Sequence, residues 1–298
     1  MVQRLSSRGI LCLFLFAGFL PSALGASSGQ NPALKAKSRL LVEQAKGLIE
    51  VGRHKDAEAI LDRAQQATPR FAPIYHQRGV SYLQLGLYEA SKRALSRSID
   101  LNPIPGEPWW ERCRVNRILG DLEAALFDCR GAAARIDDHK PYAYMSAIHL
   151  DKSDTDDAKR VLKAGIKRLK TAEPLLSELL RLSEIDNTTG ALIAWLKTEG
   201  ARSKHRTKWL LMEAFVQDQL KNQRAAKRLR RQALRTATKA VRKRRSAVNF
   251  YWRAQAYLAH GKRVAAHKDA LEAKRRAPEL PSLGRLFEEL KENRSRSS

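Results

Sequence analysis

The stretch from Ala72 to Pro105, APIYHQRGVSYLQLGLYEASKRALSRSIDLNPIP, decides the fold of this chain. In its first half Tyr75, Gly79 and Tyr82 recur at intervals of four and three residues, which is the spacing of one helical face. Gly86 then interrupts the helix. A second apolar stripe follows and ends before Pro103: Ser91, Leu95, Ser98 and Ile99. We therefore predict a helical hairpin with its turn at Gly86.

The same pattern recurs along the chain with a period of 34 residues. Three sets of positions share that spacing: Gly52, Gly86 and Gly120; Leu61, Leu95 and Cys129; Ala64, Ser98 and Ala132. The windows 38–71, 72–105 and 106–139 carry it well, and 247–280 carries it again. One hairpin cannot bury its own apolar stripe, so the hairpins are expected to stack on one another.

This pattern resembles the tetratricopeptide repeat family. The family's aromatic, small, aromatic, glycine, tyrosine, small, bulky and proline positions stand here as Tyr75, Gly79, Tyr82, Gly86, Tyr88, Ser91, Leu95 and Pro103. The resemblance implies an all-α, right-handed superhelical solenoid of helix–turn–helix repeats. We expect three repeats at 38–139, degenerate repeats at 140–246 and one more repeat at 247–280, about seven in all. Residues 281–298 are expected to form a capping helix and a polar tail.

The N-terminus differs from the rest of the chain. Arg4 and Arg8 precede an apolar run over 9–20, and small residues such as Ala23 and Gly25 follow. The run is short for a membrane span and is typical of a secretory signal peptide, with a retained N-terminal anchor as the alternative. We therefore expect a signal peptide at 1–25, a short linker at 26–37, and an exported protein, periplasmic or secreted, with no transmembrane span in its mature part.

Motifs for catalysis and cofactor binding are missing from the sequence. It contains no glycine-rich phosphate loop, no His-Glu-x-x-His and no Gly-x-Ser-x-Gly. The acidic run from Asp151 to Asp157 lacks the glycine and the closing glutamate of a calcium loop, and helix capping accounts for it. We expect no catalytic residue, no cofactor and no metal site.

Two cysteines of the predicted mature chain are placed almost symmetrically about the turn at Gly120. Antiparallel packing would bring Cys113 and Cys129 level with each other, so a disulfide is one interpretation. Such a bridge would contribute about 3 kcal/mol to stability on the chain-entropy description. The other interpretation is two buried free thiols that act as small core residues.

Members of the family usually bind their partners in a groove lined by the first helix of each hairpin. By this resemblance, a protein partner would meet six side chains: His76, Trp110, Arg114, Arg117, Tyr251 and Gln255. Trp110, Arg114 and Arg117 follow one another at one-turn spacing and would suit an acidic or aromatic peptide. The alternative is that Trp110 packs on a neighbouring repeat.

The positive charge is concentrated in the second half of the chain. Of the 56 basic and 31 acidic residues, which give +25, the segment 200–278 holds 23 basic and 4 acidic residues. Ten of the nineteen residues at 227–245 are Lys or Arg, around an apolar stripe that contains Leu229, Ala233 and Ala237. That stripe indicates a packed helix with a solvated basic face.

This basic face suits some anionic partners better than others. Aromatic residues for base stacking are missing, and the predicted signal peptide leads away from nucleic acid, so specific nucleic-acid binding is disfavoured. Alanines stand where a membrane-surface helix needs bulky apolar residues. We predict an unspecific contact with an anionic glycan, a phospholipid surface or an acidic protein, through Arg230, Arg231, Arg235, Arg242, Lys243, Arg244 and Arg245.

These features together favour a non-enzymatic exported scaffold. It would mediate protein–protein interaction in the assembly of an envelope or secreted complex, with the basic half on an anionic partner. The alternative is an adaptor that binds an envelope polymer or a carbohydrate for an enzyme complex.

Overall fold

A computed structural model describes residues 32–170, 172–280 and 282–292. These ranges contain fifteen α-helices and no strand. Fourteen of the helices form seven hairpins: α1 (Pro32–Glu50) with α2 (His54–Ala67), α3 (Ala72–Gln84) with α4 (Tyr88–Leu101), α5 (Glu107–Ile118) with α6 (Leu122–Arg135), α7 (Lys140–Asp151) with α8 (Thr155–Arg168), α9 (Glu173–Ile185) with α10 (Thr189–Arg202), α11 (Arg206–Gln219) with α12 (Gln223–Lys243), and α13 (Ala247–Leu258) with α14 (Arg263–Arg276). A last helix, α15 (Ser282–Glu292), follows. The predicted all-α repeat solenoid is confirmed, and the handedness of its superhelix stays a prediction.

The N-terminal boundary differs from the one expected. The predicted signal peptide at 1–25 lies outside the described residues, as does the linker up to residue 31. Helix α1 begins at Pro32, so residues 32–37 of the predicted linker are helical. Proline is well suited to the first position of a helix because its φ is already fixed and its missing N–H is not needed there. Within the described ranges no helix combines the length and apolar character that a membrane span requires.

Each hairpin turn contains one residue in the left-handed region. In four hairpins this residue is a glycine, with φ of 77° at Gly52, 74° at Gly86, 80° at Gly120 and 71° at Gly261. In the three hairpins between residues 140 and 246 the same place holds Ser153 (φ 61°), Asn187 (φ 58°) and Lys221 (φ 59°). The degenerate part of the chain therefore has the turn geometry of the repeat without a glycine at this place.

The hairpins pack in chain order around several apolar clusters. The largest runs from Cys113 to Val216 and joins the third hairpin to the sixth. A separate cluster joins the end of α12, the seventh hairpin and α15, where Leu283, Leu286 and Leu290 are buried. Helix α15 therefore covers the apolar face of the last hairpin, as expected of a cap.

Helix α12 is longer than the other second helices. It has 21 residues, whereas α2, α4, α6, α8, α10 and α14 each have 14. Seven extra residues add two turns, or about 10 Å at about 1.5 Å per residue. The turn of the seventh hairpin faces this long helix, and His260 and Lys262 line the same concave surface as Arg231 and Arg235.

Candidate functional site

A cleft opens between three consecutive first helices, α9, α11 and α13. This first-helix cleft has a volume of about 300 Å³. Its apolar lining consists mainly of Leu176, Leu211, Met212, Phe215, Trp252 and Leu258. Leu211, Phe215 and Leu258 are half-buried. The cleft therefore offers apolar surface that the fold leaves partly uncovered, on the helices that the family resemblance assigns to partner binding.

Charged side chains lie around this apolar lining. Glu173 begins α9 and Lys170 precedes it, while Asp218 of α11 is ion-paired with Arg230 of α12. Arg230 was predicted to contact an anionic partner, but it faces this cleft and Asp218 already neutralises it. A ligand of the cleft would meet both signs of charge around an apolar centre.

Lys208 is the most unusual charged residue of the cleft because it is buried. Its Nζ donates hydrogen bonds to the main-chain carbonyls of Ile166, Lys167 (3.3 Å) and Leu169 (2.5 Å) at the end of α8. These contacts satisfy carbonyls that a helix C-terminus leaves open. Burial lowers the pKa of Lys208 to about 8. The ammonium thus ties the fourth hairpin to the sixth.

Two predicted groove residues lie at this cleft, and one of them was placed wrongly. Tyr251 was expected to be exposed, but its side chain is fully buried and packs edge-on against Trp252, with ring centroids 4.9 Å apart. The 34-residue pattern could not reveal this, because α13 packs against both α11 and α15. Gln255 is half-buried, and its Nε2 lies 3.5 Å from a carboxylate oxygen of Glu289.

The other four predicted groove residues lie on α3 and α5, away from this cleft. The Trp110 ring packs edge-on against Tyr144 of the next hairpin, with centroids 5.2 Å apart. This is the alternative left open for Trp110. Arg117 lies over the same tyrosine ring at 4.8 Å and donates to Asp151 at 2.7 Å. The structure therefore joins Trp110 and Arg117 to the neighbouring hairpin.

The remaining two are partly engaged as well. Arg114 donates to Glu111 at 2.6 Å. His76 of α3 has a buried Nε2 with no hydrogen-bond partner among the described residues. Burial lowers the pKa of His76. The six predicted groove residues do not form one site.

The basic residues of α12 line a second concave surface, where the long helix passes the turn of the seventh hairpin. We name it the basic groove; its volume is about 790 Å³. Its lining is Arg231, Leu234, Arg235, Thr238, Lys239, Arg242, His260 and Lys262. The predicted residues Arg231, Arg235 and Arg242 thus lie together in it. Lys243, Arg244 and Arg245 are exposed beyond it, with the Arg245 guanidinium 5.7 Å from the Phe250 ring centroid.

Cys113 and Cys129 are joined as a disulfide between α5 and α6. Their Cα atoms are 5.2 Å apart, and both residues are fully buried. Of the two interpretations left open by the sequence, the structure contains the bridge. It links the two helices of the third hairpin beside the largest apolar cluster.

One group of possible metal ligands occurs within the described residues. His149, Asp154 and Asp157 have ligand atoms within 4.8 Å of one another. The carboxylate of Asp154 accepts from the main-chain N–H of Asp157 at 3.0 Å, which caps α8. Asp157 is also ion-paired with Arg160. The Asp154 carboxylate thus has the capping role expected from the sequence, and the Asp157 carboxylate has a basic partner in Arg160.

Two largely buried ion pairs were not predicted from the sequence. Arg112 binds the buried Asp128 through two hydrogen bonds of 2.7 and 2.8 Å, and Arg253 binds the buried Asp269 through two of 2.7 and 2.5 Å. Each arginine is on a first helix, and its aspartate follows 16 residues later on the second. The signal was an Arg/Asp pair at equivalent positions of the third and seventh hairpins.

Comparisons with known proteins agree with the fold. Residues 72–105 match the family model described as tetratricopeptide repeat. No curated protein matches the sequence.

The chain is also similar to several solved structures at low sequence identity. The chain is similar to a chain of the Cut9–Hcn1 hetero-tetramer of APC/C, with 18% identity, a TM-score of 0.41, and coverage of 84% of this chain and 48% of that one. It thus spans about half of that relative. It is also similar to a tetratricopeptide repeat protein from Parabacteroides merdae, with 13% identity, a TM-score of 0.44, and coverage of 86% of this chain and 99% of that one. A third similar structure is PilF of Pseudomonas aeruginosa, with 11% identity, a TM-score of 0.42, and coverage of 86% of this chain and 99% of that one. The chain thus matches one tetratricopeptide repeat at residues 72–105, and its seven stacked hairpins have the architecture expected of a solenoid of such repeats.

Proposed function

We propose that the protein is a non-enzymatic scaffold that binds a segment of a protein partner in the first-helix cleft. The observation that carries this proposal is the half-buried apolar surface of Leu211, Phe215 and Leu258 in the cleft between α9, α11 and α13. Concave apolar surfaces with a few polar groups at their rim are typical of binding sites. Proteins built from this repeat generally act as non-catalytic scaffolds. The cleft would take an apolar side chain flanked by charged residues of both signs.

Selection from a phage-displayed random peptide library tests this proposal on the full chain. Peptides selected on the wild-type protein should bind at least tenfold more weakly to Leu258→Arg, because the long charged side chain would fill the apolar cleft. Val264→Arg is the control, since Val264 is 88% exposed on α14 and outside the cleft. Peptides that bind Leu258→Arg as tightly as wild type would overturn the proposal, as would a library that yields no binder.

We further propose that the protein is exported and acts in the assembly of an envelope or secreted complex. The apolar run at 9–20 and the disulfide between Cys113 and Cys129 support export, because disulfides persist in oxidising compartments. A fusion of residues 1–30 to alkaline phosphatase, which is active only after export, tests this in a bacterial host. Activity with cleavage near Gly25 is expected; an inactive, uncleaved fusion would contradict export.

The basic C-terminal half is proposed to contact an anionic partner of this complex. What supports this is the charge of 200–278, with 23 basic against 4 acidic residues. Binding to a polyanion column should weaken steeply with salt, because charges in water are screened over about 10 Å at 0.1 M salt. Salt-insensitive retention, or none at low salt, would contradict the contact. An adaptor for an envelope polymer or carbohydrate is the alternative. It would be favoured if a column of a neutral glycan retained the protein as well.

A further inference from the structure

The basic groove carries a charge that the fold does not neutralise. Arg231, Arg235, Lys239, Arg242 and Lys262 line it, and all five side chains are exposed. None of them has an ion-pair partner among the described residues. His260, at the same wall, has a buried Nε2 without a hydrogen-bond partner there.

The four carboxylates of segment 200–278 are already engaged elsewhere. They pair as follows: Glu213 with Lys197, Asp218 with Arg230, Asp269 with Arg253, and Glu272 with Arg275 and Arg276. The groove therefore concentrates five cationic groups with no acidic residue in its lining. Such a concave cationic surface raises the local concentration of anions.

We propose that the basic groove binds an acidic polypeptide segment in extended conformation, with carboxylates on alternate residues. This inference rests on the proposed contact with an anionic partner and names its site and its chemistry. Arginine guanidinium groups match carboxylates in a bidentate geometry. Three of the five cations are arginines, and all of these lie on α12.

The spacing of the cations fits such a segment. Arg231, Arg235 and Lys239 are four residues apart on one helix, so each step rises about 6 Å. Side chains on the same face of an extended chain repeat every two residues, at about 6.6 Å. Leu234 and Thr238 lie between the cations and offer carbon surface to the intervening side chains.

Other anionic partners fit the groove less well. Its lining contains no Phe, Tyr or Trp on which the bases of single-stranded nucleic acid would stack. A bilayer surface would also contact the exposed Lys243, Arg244 and Arg245 outside the groove, so its binding would not depend on the groove alone. A flexible sulfated glycan would also neutralise the cations, but neither their spacing of about 6 Å along α12 nor the carbon surface of Leu234 would favour its binding.

Fluorescence anisotropy with a labelled twelve-residue peptide of alternating Glu and Ser tests the proposal at fixed low salt. The groove variant is Arg231→Glu with Arg235→Glu. The matched control is Arg244→Glu with Arg245→Glu, which changes the net charge equally outside the groove. We expect the groove variant to bind about tenfold or more weakly than wild type, and the control to bind less than threefold more weakly. All four residues are exposed, and circular dichroism verifies the fold of both variants.

Competition with heparin, a single-stranded oligonucleotide and vesicles of anionic phospholipid identifies the occupant. If one of these competitors binds more tightly than the peptide and depends equally on Arg231 and Arg235, the acidic polypeptide is wrong. Equal losses in the groove variant and the control would overturn the groove and leave the unspecific anionic contact standing. If no polyanion binds the wild-type protein, both this inference and the anionic contact fail. The proposal for the first-helix cleft is tested independently by the peptide selection described above.

Discussion

The left-handed residue of each hairpin turn is the smallest feature that the seven hairpins share. Four are glycines, which adopt positive φ without steric cost, and three are Ser153, Asn187 and Lys221. A side chain at this place costs about 1 kcal/mol or more, because the Cβ approaches the neighbouring carbonyl; asparagine tolerates it best. Lys221 therefore carries a local cost that the packing of α11 on α12 offsets.

Lys221→Gly is expected to stabilise the protein by about 0.5–1 kcal/mol. The relief of the left-handed strain at φ 59° outweighs the greater freedom of glycine in the unfolded chain. Urea denaturation of wild type and variant measures the change. Gly86→Ala is the control, and a loss of about 1 kcal/mol is expected because Gly86 has φ 74°. A destabilised Lys221→Gly would show that its side chain has a contact worth more than the strain.

Lys208 shows how a single buried charge makes stability depend on pH. Burial lowers its pKa from 10.5 to about 8 in the folded protein, although Glu173 and Asp137 oppose this shift. Between about pH 8 and pH 10.5, Lys208 is mostly deprotonated in the folded protein and mostly protonated in the unfolded chain. This group's contribution to the free energy of unfolding therefore increases as the pH rises. The slope is at most about 1.4 kcal/mol per pH unit, and below pH 8 it vanishes because both states are protonated.

Lys208→Met isolates this contribution because methionine does not titrate. The difference in unfolding free energy between wild type and variant should be constant from pH 6 to 7.5 and should then increase in favour of wild type up to pH 10. The lost hydrogen bonds to Ile166, Lys167 and Leu169 add an offset that does not depend on pH. Chemical denaturation at several pH values measures the difference, and a flat difference up to pH 10 would show that Lys208 keeps its ordinary pKa.

At the scale of the helices, the 34-residue period predicted most of the fold. The features that it did not predict lie where the repeat departs from its usual residues or helix lengths. The spacing of Gly52, Gly86 and Gly120 located three turns directly. It could not locate the turns at Ser153 and Lys221, because a backbone conformation is kept there without the residue that signals it. The stripe of Leu229, Ala233 and Ala237 predicted that α12 packs, and these residues are buried.

The basic groove could not be predicted for a different reason. Sequence reasoning identified Arg231, Arg235 and Arg242 as solvated charges. That His260 and Lys262 line the same groove was not predicted, because this arrangement depends on how the 21-residue α12 passes the turn of the seventh hairpin. Tyr251 was placed wrongly for a similar reason, since its burial depends on how α11, α13 and α15 meet.

The two buried Arg–Asp pairs hold first and second helices together within a hairpin. We expect Asp269→Ala to destabilise the seventh hairpin by about 3 kcal/mol, because Arg253 then stays partly buried without its carboxylate. Glu288→Ala on α15 is the control: its partner Lys291 is exposed, so the loss should stay below about 0.5 kcal/mol. Thermal melting followed by circular dichroism compares the two variants, and equal effects would mean that the pair contributes no more than a surface contact.

At the scale of the whole molecule, the stability of a stack is distributed along the chain, because each hairpin contacts mainly its neighbours. The apolar core is not continuous over this stack. The largest cluster ends at Val216, whereas Val241, the seventh hairpin and α15 share a cluster of their own. Leu210, Ala214, Leu229 and Ala233 form a small cluster between the two. The long helix α12, the first-helix cleft and the basic groove all fall at this junction.

Such a break in the core predicts that residues 247–290 open as a unit before the centre of the chain does. Leu286→Ala tests this, because Leu286 is fully buried in α15 and its truncation should cost about 2–5 kcal/mol. Native-state hydrogen exchange should then show lower protection throughout 247–290 and unchanged protection at 142–196. Val264→Ala, at an exposed site of the same unit, should change neither region. If Leu286→Ala lowered protection equally in both regions, the stack would unfold as one cooperative body, and the junction that carries both candidate binding surfaces would be as rigid as the rest.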